Sequence, residues 1–201
     1  MSHVPAHTLR IAEPPFEPVT LAELKTHTTI SHANDDGYLS ALLAVATAQV
    51  ERDAGVALVK QRWEAVYQCF PDIIRLPWPP LLDVVSVKYY DTDNVQQTLD
   101  TAEYVVLTHG NAGRVLPAPD KSWPSVQSGR LDTVVVTYDA GYVDVDGGGS
   151  PINDAPLPIK QAVMVLAAHL YENREATAPI ALAEVPMSYE SLVASFSRAA
   201  V

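Results

Sequence analysis

The alternation of apolar and polar positions changes period twice along the chain. Leu39, Leu42, Leu43, Ala46 and Val50 recur at spacings of three and four, which places them on one helical face. Asp35 or Asp36 is positioned to cap that helix and Gly55 to end it. The alanines at 41, 44, 46 and 48 allow a neighbouring helix to approach closely. Ahead of it, Thr20 and Glu23 have capping-box spacing before a short helix over 21–28.

From residue 61 the period becomes two. QRWEAVYQCF, LDVVSVKYY, EYVVLT and LDTVVVTY are β-branched and aromatic, with turns at 91–94 and 110–113. The pattern predicts a mainly antiparallel sheet of sequential hairpins over 58–142, with Cys69 as a free strand cysteine. Residues 139–155 read as a flexible acidic, glycine-rich loop. Helical period returns after Pro158, where Ile159, Val163, Leu166, Ala167 and Leu170 form one stripe. A last short helix over 188–200 turns Leu192, Val193 and Phe196 inward.

The order helices, sheet, helices implies an α+β fold, a small helical bundle with a β-rich antiparallel insertion. The expected organisation is a flexible arm at 1–18, a helical base at 19–57, the insertion at 58–142 and the acidic loop at 143–155. A helix returning to the base at 156–176 and a tail with a short helix at 177–201 complete it. Sixteen prolines cluster at the segment boundaries.

Composition narrows the chemistry. With 24 acidic against 13 basic residues the formal charge is −11, which opposes nonspecific binding of free DNA. One cysteine forms no internal disulfide. No apolar run reaches membrane-spanning length, and the start lacks a signal-peptide pattern, so synthesis in the cytoplasm is expected. There is no GxSxG, P-loop, GxGxxG or HExxH motif, and His27, His32 and Cys69 lack zinc spacing. Asp144, Asp146 and Asp154 do not follow the calcium-loop pattern. No catalytic residue, cofactor or metal is expected.

Trp78 in PWPP and Trp123 in SWP stand at rigid aromatic–proline corners, and are either binding knobs or corner packing of the sheet. With Tyr189 and Phe196 of the last helix they are the candidate interface residues.

Several segments in order resemble one family. They are LAELKTH, DDGYLSALLAVATAQVERDAG, IRLPWPPLLDVVSVKYYDTDNVQQTLD, GRVLPAPDKSWP, VVVTYDAGY and PLPIKQAVMVLAAHLYENRE. Together, over roughly residues 19 to 176, they resemble the head-tail connector, or adaptor, proteins of tailed phages, prophages and gene transfer particles. The resemblance implies a structural subunit of the virion head-tail interface and no catalysis. It implies a ring of about a dozen copies below the portal protein that continues the DNA channel. A stopper or tail-side neck protein is then the next partner, and DNA passes without specific binding. Asp144 and Asp146 are the candidate acidic residues facing such a channel. The ending VPMSYESLVASFSRA matches the family only loosely. A different neck or tail-completion protein and a monomeric protein-binding module are the alternative readings.

Overall fold

The computed structural model describes residues 5–108, 113–142, 144–145, 151–152, 154–173 and 187–197. They form ten strands and four helices. The strands are β1 (His7–Ala12), β2 (Gln61–Tyr67), β3 (Ile74–Leu76), β4 (Leu81–Tyr90), β5 (Gln96–Thr98), β6 (Tyr104–Leu107), β7 (Gly113–Pro117), β8 (Val134–Ala140), β9 (Asp144–Val145) and β10 (Pro151–Ile152). The helices are α1 (Leu21–Thr28), α2 (Asp36–Ala54), α3 (Leu157–Glu172) and α4 (Met187–Ser197). The fold is α+β, with a β-rich insertion between helices as the two changes of period require.

The described chain divides into two compact units, a sheet unit of 5–14 with 60–141 and a helical unit of 15–59 with 142–197. In the sheet unit, β1-β2-β8-β4-β5 form one antiparallel sheet and β3-β7-β6 a second. β2 shows why: Gln61, Trp63, Ala65 and Tyr67 alternate inward while Arg62, Glu64 and Val66 point the other way. Opposite them Val134, Val136, Tyr138 and Ala140 of β8 are fully buried. The β4–β5 turn is built by Asp91, whose Oδ1 accepts from the amides of Asp93 and Val95, with Asn94 left-handed at φ 61°.

Four expectations are corrected here. Residues 7–12 are not part of a free arm but an edge strand paired with β2 from His7↔Val66 onward. The strands do not follow as sequential hairpins, because β8 inserts between β2 and β4 and a separate three-stranded sheet forms. Within 139–155, β8 runs on to Ala140 and β9 pairs with β10, so that stretch is not wholly loop. Cys69 also falls just beyond the end of β2, not within a strand.

The helical unit is built on α2. Its inward positions Leu39, Leu43, Ala46, Val50 and Ala54 are buried together with Ile159, Ala162, Val163, Leu166 and Ala167 of α3. α1 and α4 also pack on α2. Thr20 caps α1 in a complete capping box with Glu23, and Gly55 ends α2 in the left-handed region at φ 68°. Asp35 occupies the N-cap of α2 but makes no capping bond there. Its carboxylate instead accepts from the Tyr171 hydroxyl at 2.6 Å. Across the outward side of α2, Gly37, Ala41, Ala44 and Ala48 are exposed, and no charged residue occurs from Gly37 to Val50.

Candidate functional site

The two tryptophan corners are held inside the sheet unit. Trp78 is left-handed at φ 61° and half-buried, and its ring stacks on Trp63 at 4.8 Å and 10°. A left-handed bulky residue is strained, so the stack has to offset a backbone cost. The Arg10 guanidinium lies 5.9 Å over the Trp63 ring. The Tyr138 hydroxyl donates to the Pro77 carbonyl at 2.8 Å and fixes the same corner from β8. Trp123 is also half-buried and stacks on Phe70 at 4.8 Å and 8°, with Tyr89 tilted against Phe70. Both tryptophans are stacked at corners of the sheet unit, and both keep part of their surface exposed.

Tyr189 is 5% exposed and its hydroxyl donates to Asp53 at 2.6 Å, tying α4 to the end of α2. Burial first, and then the Asp53 carboxylate, push its phenol well above the ordinary range. Phe196 is partly buried against the helical core. Both help to pack α4 onto the helical core. Asp144 falls in β9, and Asp146 lies outside the described residues, as does His109.

Several charged side chains of the sheet unit are paired with one another. Asp139 is 4% exposed and receives Arg62 Nε at 2.7 Å and Lys60 Nζ at 3.1 Å. The bond from Arg62 holds its carboxyl below the usual aspartate range despite burial. Arg130 bridges Asp132 and Asn94 with its guanidinium 3.7 Å over Tyr90. Among the described residues no group of three or more His, Cys, Asp or Glu is placed to hold a metal ion. No helix among them is long and apolar enough to cross a membrane.

The helical unit carries an apolar groove. One stretch of about 660 Å³ is lined by Phe16, Val19, Leu21 and Leu43, and a second of about 430 Å³ by Leu157, Met164 and Leu192. They share Val19, Glu23 and Lys160, so they form one continuous surface. Glu17, Glu23 and Lys160 stand among these apolar residues. Leu157 and Met187, at the starts of α3 and α4, are 79% and 85% exposed. Such projecting apolar ends suit contact with protein rather than chemistry on a small substrate. These surfaces escaped the sequence reading, because a single apolar residue at a helix start carries no periodic signal.

The arrangement defines a class by fold: an α+β chain whose helical unit is divided in sequence by a β-rich unit. No protein-family model matches the sequence, and no curated protein matches it. Solved structures do. A chain from the neck of an empty gene transfer agent particle, computed with C6 symmetry, superimposes with a TM-score of 0.74 at 21% identity over 94% of each chain. A chain from the virion of a native gene transfer agent particle gives 0.73 at 21%, again over 94% of both. A third, from the neck of a native particle computed with C12 symmetry, gives 0.73 at 22% with the same coverage. The likeness shows a common fold over nearly the whole chain.

Proposed function

We propose that this chain is a structural head-tail connector subunit of a tailed phage or gene transfer particle. In this reading about twelve copies close into a ring beneath the portal, continue the DNA channel and dock the next neck or tail protein. The carrying observation is the likeness over 94% of both chains to a chain of a neck computed with C12 symmetry. Coverage this complete includes both the helical and the β-rich unit, so the shared fold is more than one common motif. The formal charge of −11 suits a channel that lets DNA slide without holding it. The exposed apolar residues and the absence of a convergent reactive cluster among the described residues fit a role in assembly, without catalysis.

Light scattering on the purified chain across a concentration series tests this. A discrete assembly of roughly a dozen subunits supports the ring. A monomer at all concentrations restricts the reading to a ring that closes only on its portal, and addition of portal protein then decides it. A second neck component remains the alternative, because the similar chains are described by particle and neck rather than by their position within it. The monomeric-module reading is weakened by the stacking of both Trp78 and Trp123 inside the sheet unit.

A further inference from the structure

The second sheet of the β-rich unit places two arginines side by side. Arg75 of β3 and Arg114 of β7 are directly opposed in register, and Leu107 of β6 opposes Arg114 on its other side. Val105 and Leu116 form the next opposed pair along β6 and β7. Alternation puts all five on one face. It is the solvent face: both arginines are exposed and Val105 and Leu107 are 40% and 42% exposed, while Ile74, Leu76 and Val115 behind them are buried.

Neither guanidinium has an ion pair or hydrogen bond among the described residues, and the three strands contain no acidic residue. Arg10, Lys25, Lys60, Arg62, Lys121 and Arg130 are, by contrast, each paired with a carboxylate. Like charges directly opposite on neighbouring strands repel and destabilise the sheet. The strands are nonetheless held firmly. The Tyr67 hydroxyl donates to the Arg75 carbonyl at 2.6 Å, and Gly113, beside Arg114, lies so close to Leu81 that an added methyl would collide with it.

We propose that this face, with Arg75 and Arg114 as its charged centre and Val105, Leu107 and Leu116 as its apolar part, receives the acidic helical unit of a second copy of this chain. The inference rests on the ring reading and adds which surfaces meet. Charge complementarity selects the partner. By sequence, the helical unit taken as 15–59 and 142–198 carries thirteen acidic and five basic residues against eleven and eight for the rest of the chain, balances of −8 and −3. Asp154, Glu172 and Glu190 of the helical unit are exposed, with no side-chain hydrogen bond or ion pair among the described residues. A cationic, partly apolar face on one unit and an anionic surface on another are unlike surfaces, as head-to-tail closure of a ring requires. Nucleic acid is the other polyanion that adjacent arginines fit. The net negative charge of the sheet unit and the apolar part of the face favour protein.

The test compares the wild type, R75E/R114E, the milder R75Q/R114Q and the control K88E by mass photometry over concentration and salt, with circular dichroism to check folding. The wild type is expected to assemble, and less completely as salt rises from about 0.1 M to about 1 M. R75E/R114E raises the concentration of half-assembly roughly tenfold or more, R75Q/R114Q raises it by less, and K88E leaves it unchanged. Assembly of folded R75E/R114E at wild-type concentrations overturns the contact and leaves the ring reading standing. A wild type that is monomeric at every concentration and salt overturns the contact as a self-sufficient interface and leaves the ring reading to be decided by addition of portal protein. Anisotropy with a short labelled DNA duplex closes the other route. Binding that R75E/R114E abolishes while assembly is unchanged makes the face a nucleic-acid surface and overturns the proposal.

Discussion

The two units place different donors on their hydrogen-bonded carboxylates, of which Glu51 in one and Asp139 in the other are buried. In the helical unit the partners are neutral donors: Tyr171 for Asp35 at 2.6 Å, Tyr189 for Asp53 at 2.6 Å, and the Leu58 amide for Glu51 at 2.8 Å. In the sheet unit Asp139 meets Arg62 and Lys60. A hydroxyl or amide solvates a carboxylate without cancelling its charge, whereas an ion pair cancels it. The helical unit also holds the Lys25–Asp36 ion pair. By composition the helical unit stands at −8 and the sheet unit at −3, and the cations on Asp139 neutralise it locally as the hydroxyl and amide donors do not.

The largest expected effect separates the units thermodynamically. Trp63, Trp78 and Trp123 all belong to the sheet unit, so tryptophan fluorescence reports on it, while the helical circular dichroism signal is dominated by the other. Leu39 is fully buried in the helical core, and Leu39→Ala is expected to cost about 2–5 kcal/mol. Thermal unfolding followed by circular dichroism shifts further than unfolding followed by fluorescence. Equal shifts in both signals would mean one cooperative body and would break the comparison. Gly113→Ala is the reciprocal experiment. Its methyl would strike Leu81, and overpacking of this kind costs about 1–3 kcal/mol. Its signature is a fluorescence transition that moves more than the helical one.

Locally periodic elements were legible in the sequence. The capping box of α1, the apolar stripe and terminal glycine of α2, and the β-branched runs of β4 and β8 depend on neighbours within a few residues. Elements defined by distant pairing were not. His7–Ala12 is short, lies between prolines and buries none of its residues fully, so only its partner β2 makes it a strand. The insertion of β8 between β2 and β4, and the opposition of Arg75 to Arg114, are likewise matters of register rather than composition. Tyr189 could have been read better. It precedes Val193 by four and Phe196 by seven, on the stripe that packs into the core, and its hydroxyl needed a buried acceptor.

Acid titration sharpens the contrast next. Asp139 has its folded pKa depressed by Arg62, so its contribution is fully present above the unfolded aspartate value of about 3.9 and is lost as pH falls through the lower folded value. Asp139→Asn is expected to destabilise the sheet unit at neutral pH, read by tryptophan fluorescence. The stability difference between variant and wild type narrows as the solution is acidified through and below that range. A difference independent of pH would mean that Asp139 acts through shape alone, and that ion pairing does not distinguish the sheet unit.

The smallest effect tests whether the helical unit also uses charge through neutral donors at its surface. Thr20 donates to Glu23 from both its amide and its hydroxyl at 2.7 Å, and the hydroxyl accepts from the Glu23 amide at 3.2 Å. The backbone bond from Thr20, and then the bond from its side chain, lower the Glu23 pKa. Thr20→Ala removes the hydroxyl but keeps the amide bond, so the expected cost is about 1 kcal/mol at neutral pH, confined to the helical transition. Part of that cost depends on an ionised Glu23. The folded carboxyl has a depressed pKa, so this part is present above the unfolded glutamate value of about 4.3 and disappears as pH falls through the folded value. The penalty of Thr20→Ala should therefore shrink in acid without vanishing, because the Glu23 amide has still lost its acceptor. A penalty that disappears entirely would assign the whole effect to the carboxylate. One that does not move would assign it to the backbone cap, and α1 would then hold its charge for solubility alone.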